Sequence, residues 1–320
     1  MAIDWLTWRP EGFYCIPGDF YIDPKASVPT AVVSHAHADH YPRGLNVVHA
    51  TAPTLAIGKT RYREKAGKTL HAHSENTPFQ VNGVEISFLP AGHMLGSAQI
   101  LMKFQNQSIL YSGDFSLKPN ATCASLAYPD CPIDLLVCES TFGEKEVHSQ
   151  PETAMRMTLQ SAGLKPLLIA VYPLGKAQHV THLLNVVAPE LPVMLHYEVF
   201  RYHQVYENHG FKPGRYEFYR RMNNRSRMLP HALLVTPKVM ASYSKDIDYH
   251  KVMATGWDAK SKMPYLNGLL DISDHVDSQD LRTYISQISP KEVWFWHGYP
   301  KRMIEWCVSK GISAQEIKHG

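Results

Sequence analysis

The heptapeptide SHAHADH, Ser34 to His40, constrains this chain more than any other stretch, because it sets three histidines and an aspartate directly behind the apolar run Thr30 to Val33. Side chains two apart on an extended segment point the same way, so His35 and His37 can reach one metal ion. Asp39 and His40, past the bend, are free to face a second. Imidazole nitrogen with carboxylate oxygen suits a borderline ion such as zinc, and a mixed shell that keeps an open position is the catalytic type. The competing reading is a solvated loop that binds nothing; placement at a strand end argues against it.

Four further residues extend the pattern: His93 in AGHMLGSAQ, Asp114 in YSGDF, His275 in ISDHVD and His297 in WFWHGYP. Each alone reads as a core histidine or a turn aspartate. Together, each after an apolar strand and near Gly or Ser, they read as ligands that a rigid sheet delivers to one place.

The first half carries strand signals at 30–34, 83–90, 97–104, 108–115 and 134–140, separated by Gly, Pro and Asn turns. From about Thr141 strand and helix alternate: a strand at 165–172, a helix at 176–187, a strand at 192–196, a helix through Tyr206, then strands at 232–237 and 251–256. Such alternation predicts a small parallel α/β unit. LLDISDH, a helix over 278–288, the strand EVWFWHG and a helix from Lys301 then resume strands that end in histidine. The expected organisation is a split core, 1–142 and 268–320, around an insert at 143–267. A chain of 320 residues has length enough for this.

A net charge of +3 is too small to announce nucleic-acid binding, so the distribution of charge matters more than its total. Five cysteines, Cys15, Cys123, Cys131, Cys138 and Cys307, form no CxxC pair, which argues against a disulfide framework and against a thiolate zinc site. The opening MAIDWLTWRPEGFYC has no basic region followed by an apolar one, and no run approaches a membrane span. A cytoplasmic protein is the expectation.

Nine strings in fixed order, FYCIPGDFYIDP, SHAHADH, AGHMLGSAQI, YSGDF, ESTFG, LGKAQ, ATGW, SDHVD and HGY, resemble the metallo-β-lactamase superfamily, specifically its β-CASP nuclease branch. Within that branch they are most similar to the bacterial DNA-ligase-associated exonucleases. The resemblance spans nearly the whole chain and implies an α/β fold: a metallo-β-lactamase αββα sandwich with an inserted β-CASP-like cap, here short for its kind.

By the same resemblance His35, His37 and His93 are similar to the ligands of a first metal, and Asp39, His40 and His297 to those of a second. Asp114 is similar to the bridging carboxylate, and Asp23 to the aspartate that braces the ligand loop. Glu139 in CESTFG resembles the acidic residue that opens the nuclease cap, and His275 the histidine that protonates the leaving group. The implied cofactors are two divalent ions, zinc or alternatively manganese. The catalytic set is then Asp39, Asp114, Glu139 and His275, although Asp274 and Asp277 also flank His275 and either can orient it.

For the substrate, LGKAQ opens a helix after a strand, where backbone N–H groups and Lys176 can meet a phosphate, with Gln178 a further substrate-binding candidate; a helix-capping glycine with a solvated lysine is the alternative. Arg215, Arg220, Arg221, Arg225 and Arg227 crowd a stretch that also holds Tyr216, Phe218 and Tyr219. Arginine with aromatics suits a single-strand channel, and a solvated amphipathic segment competes with that reading. Arg220 and Arg221 are the expected contacts. His71, His73, His196, His203 and His209 match no family motif and read as surface or packing residues.

The resemblance implies a DNA exonuclease of repair, with 5′ to 3′ polarity, acting beside an ATP-dependent DNA ligase and a helicase. A histidine at the last motif, here His297, is common in RNA enzymes of this branch, which keeps RNA processing as the alternative. A small-molecule metallo-hydrolase and an inactive scaffold subunit fit less well, since the first needs no cap and the second no complete ligand set.

Overall fold

The computed structural model describes residues 3–146, 150–220, 229–243, 247–257 and 263–317. In chain order the first elements are β1 (Leu6–Arg9), β2 (Gly12–Cys15), β3 (Phe20–Ile22), β4 (Thr30–Val32), β5 (Val47–Thr51), α1 (Ala52–Tyr62), β6 (Thr69–His73), β7 (Phe79–Val81), β8 (Val84–Pro90), β9 (Ala98–Phe104), β10 (Gln107–Tyr111) and β11 (Leu135–Ser140). Next come α2 (Pro151–Ala162), β12 (Leu167–Ala170), α3 (Lys176–Val187), β13 (Val193–Leu195), α4 (Tyr197–Asn208), β14 (Glu217–Phe218), β15 (Ala232–Val235), α5 (Met240–Tyr243), β16 (His250–Ala254) and β17 (Gly268–Leu270). The last are α6 (Ser278–Ile288), β18 (Glu292–Gly298), α7 (Lys301–Ser309) and β19 (Ser313–Glu316). The fold is mixed α/β, with three sheets among the described residues.

Two compact units divide the chain: Met1–Glu146 with His275–Gly320, and Val147–Asp274. The first holds a sheet in the order β1-β2-β3-β4-β5-β6 and another in the order β19-β18-β11-β10-β9-β8-β7. Their inner faces share one core, in which Phe13, Phe20, Ile22 and Val32 of one sheet meet Phe88, Ile100, Tyr111, Val137 and Trp296 of the other. Burying a side chain of this size stabilises by about 1.5–3 kcal/mol. On the outer face of the second sheet, Leu136, Cys138 and Phe295 pack with Leu281, Tyr284 and Ile285 of α6 and Met303 and Cys307 of α7. Helix α1 lies against β5 and β6, so the layers run helix, sheet, sheet, helix.

The second unit is built on an all-parallel sheet, β14-β13-β15-β12-β16-β17. Its central strands LLIA and ALLV are buried at every position, as parallel strands covered on both faces must be. Helices α3 and α4 cover it through Val180, Leu184 and Val199.

The expected border at residue 268 is corrected. Gly268–Leu270 pair in parallel with Val252–Ala254, so the segment extends the second unit's sheet instead of resuming the first unit. At the other border a bridge between Phe142 and Asp277, and a hydrogen bond from Ser278 N–H to the Lys145 carbonyl, hold 142–145 in the first unit, past the expected 142. The meander β1–β3 and the helices α1 and α2 have no counterpart in the sequence reading. Among the described residues, no helix is long and apolar enough to cross a membrane.

Candidate metal centre

Every residue of the centre comes from a strand end or the loop that follows it. After β4, the Ser34 N–H donates to Asp23 Oδ1 (2.7 Å), and the Ser34 hydroxyl donates to Asp23 Oδ2. This pins the start of the heptapeptide. Gly113 explains its own identity: its φ is +55°, and a Cβ there would lie 2.8 Å from Ser34 Oγ. Ala98 N–H donates to the Ser34 carbonyl (2.9 Å), and His93 N–H and Met94 N–H both donate to Ser97 Oγ, so the His93 turn is tied to the heptapeptide.

His35, His37, His93 and Asp114 each present a ligand atom within 4.8 Å of the others. His37 Nδ1 is 3.1 Å from His35 Nε2 and 3.2 Å from His93 Nε2. Asp114 Oδ2 is 3.5 Å from His35 Nε2, and Asp114 Oδ1 is 3.5 Å from His40 Nε2. His35, His40, His93 and Asp114 are buried, and His37 is half-buried. Three imidazoles and a carboxylate with this convergence fit a divalent metal ion of the zinc type.

Asp23 sits behind this group. Its Oδ2 is 2.7 Å from His40 Nδ1, which orients the ring so that Nε2 faces Asp114. A carboxylate behind a histidine in this way sets its tautomer and raises its basicity as a ligand. Burial opposes a charge on His40, but Asp114 and Asp23 outweigh it and push the imidazole up to about 10. Burial holds His35 well below the usual histidine range, and burial together with His93 takes His37 down to about 3. For Asp114 burial again opposes the charge, yet His40 and His275 win and keep the carboxyl well below the usual range.

Two residues expected around a second ion stand further out. Asp39 is 67% exposed at its side chain, with Oδ2 3.9 Å from His40 Nε2. His297 stacks on His40 with ring centroids 5.8 Å apart. The structure therefore gathers His35, His37, His93 and Asp114 tightly and leaves Asp39 and His297 beside His40.

Glu139 closes the other side. It is fully buried at the end of β11; Oε1 accepts from Phe115 N–H (2.8 Å), Oε2 accepts from the Thr141 hydroxyl (2.6 Å), and Oε2 lies 3.2 Å from His275 Nδ1. Asp114 Oδ2 is 3.9 Å from the same nitrogen. The other two candidates for orienting His275 have contacts of their own. Asp277 Oδ1 caps α6, accepting from Gln279 and Asp280 N–H. Asp274 pairs with Lys176.

The substrate residues fare differently. Lys176 is buried, its ammonium 2.7 Å from Asp274 Oδ2 and donating to the Ile272 carbonyl at 2.7 Å, so the expected phosphate contact gives way to an internal ion pair. Gln178 is also buried, its amide nitrogen between the Pro173 carbonyl and His203 Nδ1. The sequence shows neither fact, because Asp274 and His203 lie far along the chain from Lys176 and Gln178. Arg220 is exposed. Arg221, Arg225 and Arg227 lie outside the described residues, and Arg215 donates to the Pro189 carbonyl.

No family model matches the sequence. Over 98% of its length the chain is 27% identical to a protein named "Probable DNA ligase" from Opitutus terrae, and it covers 31% of that protein. It is 26% identical over 51% of its length to an "RNase J-like protein" from Methanocaldococcus jannaschii, covering 45% of it. It is 29% identical over 40% of its length to "Cleavage and polyadenylation specificity factor subunit 3" from Dictyostelium discoideum, covering 16%. These likenesses support the resemblance of the chain to the β-CASP branch of the metallo-β-lactamases. A crystal structure of a protein of unknown function from Enterococcus faecalis V583 shares the fold of this chain, with a TM-score of 0.62 over 91% of this chain and 80% of the other at 12% identity. The chain thus spans under half the length of the curated relatives named here.

Proposed function

We propose that this chain is a β-CASP-type, metal-dependent phosphodiesterase that removes nucleotides from DNA ends, on a metallo-β-lactamase αββα sandwich with an inserted cap. The observation that carries the reading is the pairing of a buried His/Asp cluster with the Glu139–His275 pair at its edge. A hydrolase needs the first to bind metal and the second to move a proton.

His35, His37 and His93 would hold one ion and Asp39, His40 and His297 a second, with Asp114 between them. When bound, two divalent ions supply Lewis-acid polarisation of a phosphoryl oxygen and make water acidic enough to ionise near neutral pH. The chain's own groups do the rest. Asp23 keeps His40 Nε2 aimed inward, Asp114 orients the nucleophile, and Glu139 holds His275 Nδ1 so that Nε2 presents a proton to the departing oxygen. A positioned general acid contributes about 10² to 10⁴ in rate. Zinc suits the imidazole-rich group, and manganese the more oxygen-rich second one.

DNA is favoured because the similarity that runs through 98% of the chain is to a protein named for DNA ligation. That likeness also supports work beside an ATP-dependent ligase, with a helicase as a further partner. Arg220, exposed after β14, supports a phosphate contact, and Arg221 follows it in sequence. RNA is the second reading, supported by His297 at the last motif and by the RNase J-like relative.

The test is incubation of the chain and an Asp39→Ala/His40→Ala variant with end-labelled single strands of DNA and RNA of one sequence, in zinc or manganese. Stepwise loss of nucleotides from DNA, absent in the variant, is expected and reads out polarity. Cleavage of RNA alone would overturn the DNA reading, and equal activity in the variant would overturn the site.

A further inference from the structure

Tyr111 ends β10, and its ring lies in the core that the two sheets of the first unit share, with the centroids of Phe13 and Trp296 each 5.9 Å from its own. The side chain is fully buried, yet its hydroxyl has no hydrogen-bond partner among the described residues. Tyr284, equally buried, donates to Gln99 Oε1. A hydroxyl taken out of water and given no partner costs its desolvation outright, so such a group in a folded core calls for an explanation.

Tyr41 shares this condition, but its surroundings differ: burial and the phenol of Tyr62 act on it. On Tyr111 burial acts first, then the carboxylates of Asp23 and Asp114, and together they hold the phenol well above its usual range. It keeps its proton and can donate. Asp23 acts on it as an acceptor as well as a charge, although the geometry falls short of a formed hydrogen bond.

Asp23 follows β3 in the facing sheet, fully buried, at a φ of +41° that residues other than glycine seldom adopt. Its carboxylate already accepts from the Ser34 N–H and the Ser34 hydroxyl and meets His40 Nδ1. An ionised carboxylate has about four acceptor positions, so one is left.

We propose that Tyr111 is a positioning residue of the metal centre: its hydroxyl reaches across the core to the fourth position on Asp23 and holds that carboxylate where it aims His40 Nε2 at Asp114. The role rests on the reading of this centre as metal-binding. In a core of low dielectric an O–H turned toward a carboxylate attracts it strongly, so the burial that makes the orphan costly also draws the two groups together. The outer partners of a metal ligand govern affinity, and losing one costs about tenfold or more. A hydroxyl that only fills space predicts the reverse, since phenylalanine in its place removes an orphan and leaves metal binding untouched.

Zinc affinity decides between them, measured by equilibrium dialysis of the full chain in chelator-buffered zinc for the unsubstituted protein, Tyr111→Phe, Asp23→Asn and the double variant. Tyr111→Phe keeps the ring that fills the core, and in thermal melting without metal it should be at least as stable as the parent. Its zinc affinity should nevertheless fall about tenfold. In the Asp23→Asn background the same change should cost little more, because the carboxylate through which Tyr111 acts is already gone. Equal zinc affinity in the parent and in Tyr111→Phe would overturn the role, and so would an equal loss in both backgrounds; either result leaves the metal reading standing. A parent that retains no zinc would overturn that reading and this role with it.

Discussion

Glu139 and His275, 136 residues apart in sequence, meet with Oε2 3.2 Å from Nδ1, the carboxylate fully buried and the imidazole 23% exposed. A buried carboxylate facing one nitrogen favours the proton there and turns the other nitrogen outward. Replacing Glu139 by Gln keeps the shape and removes the charge. The variant should keep its bound metal and lose about 10² to 10⁴ in kcat. A kcat equal to the parent's would assign Glu139 to packing alone.

Metal uptake should release a proton from His40. Its imidazole is pushed up to about 10 and so is protonated at pH 7, and a ligand must be neutral to bind. His37, already down to about 3, has no proton to give. Calorimetry in buffers of different ionisation enthalpy should find about one proton released per metal-loaded chain, and affinity rising about tenfold per pH unit from 6 to 9. No buffer dependence would mean His40 is neutral before metal arrives. In an Asp23→Asn variant the released proton should diminish.

Lys176→Met should destabilise the second unit and leave the salt dependence of DNA binding unchanged. The change leaves Asp274 buried without its cation, and breaking one partner of a buried pair costs about 3–5 kcal/mol. Chemical denaturation followed by tryptophan fluorescence measures the first effect, and binding at several salt concentrations the second. A flattened salt slope would return Lys176 to the phosphate.

Acid should weaken the fold through His203, whose buried ring lies between Gln178 Nε2 (3.0 Å) and Thr181 Oγ1 (2.9 Å). Burial lowers it to about 4, below its unfolded value. Between these values the unfolded chain binds the proton and the folded one does not. The His203 contribution is therefore present above the unfolded pKa and is lost as pH falls from about 6.5 toward 4. Melting temperature against pH should be flatter in that window for His203→Gln.

Gly298→Ala should fail at the last motif. Its φ is +84°, and a Cβ would lie 2.1 Å from the Ser140 carbonyl oxygen, where β11 and β18 change register. Loss of several kcal/mol of stability, read by thermal melting, is expected when backbone meets backbone with no side chain able to yield. A variant as stable as the parent would show that the strand shifts freely.

Much of the centre was legible because its signals are local. An apolar strand followed by His-x-His puts two imidazoles on one face, and the other ligands also follow strands, so His35, His37, His93 and Asp114 could be named before their convergence was seen. Strand-and-helix alternation likewise announced the parallel sheet of the second unit. The β1–β3 meander was not legible, since its three- and four-residue strands are too short to show a period.

By itself, the sequence determined which side chains could bind metal and which segments alternate strand with helix, because those properties depend on residue identity and spacing. Tertiary structure alone decided that Glu139 faces His275, that Lys176 pairs with Asp274, and that Gly268–Leu270 extend the second sheet. Each of these is a choice of partner between residues distant in the chain. Such choices are made by strand order and register, and local preference carries no record of them.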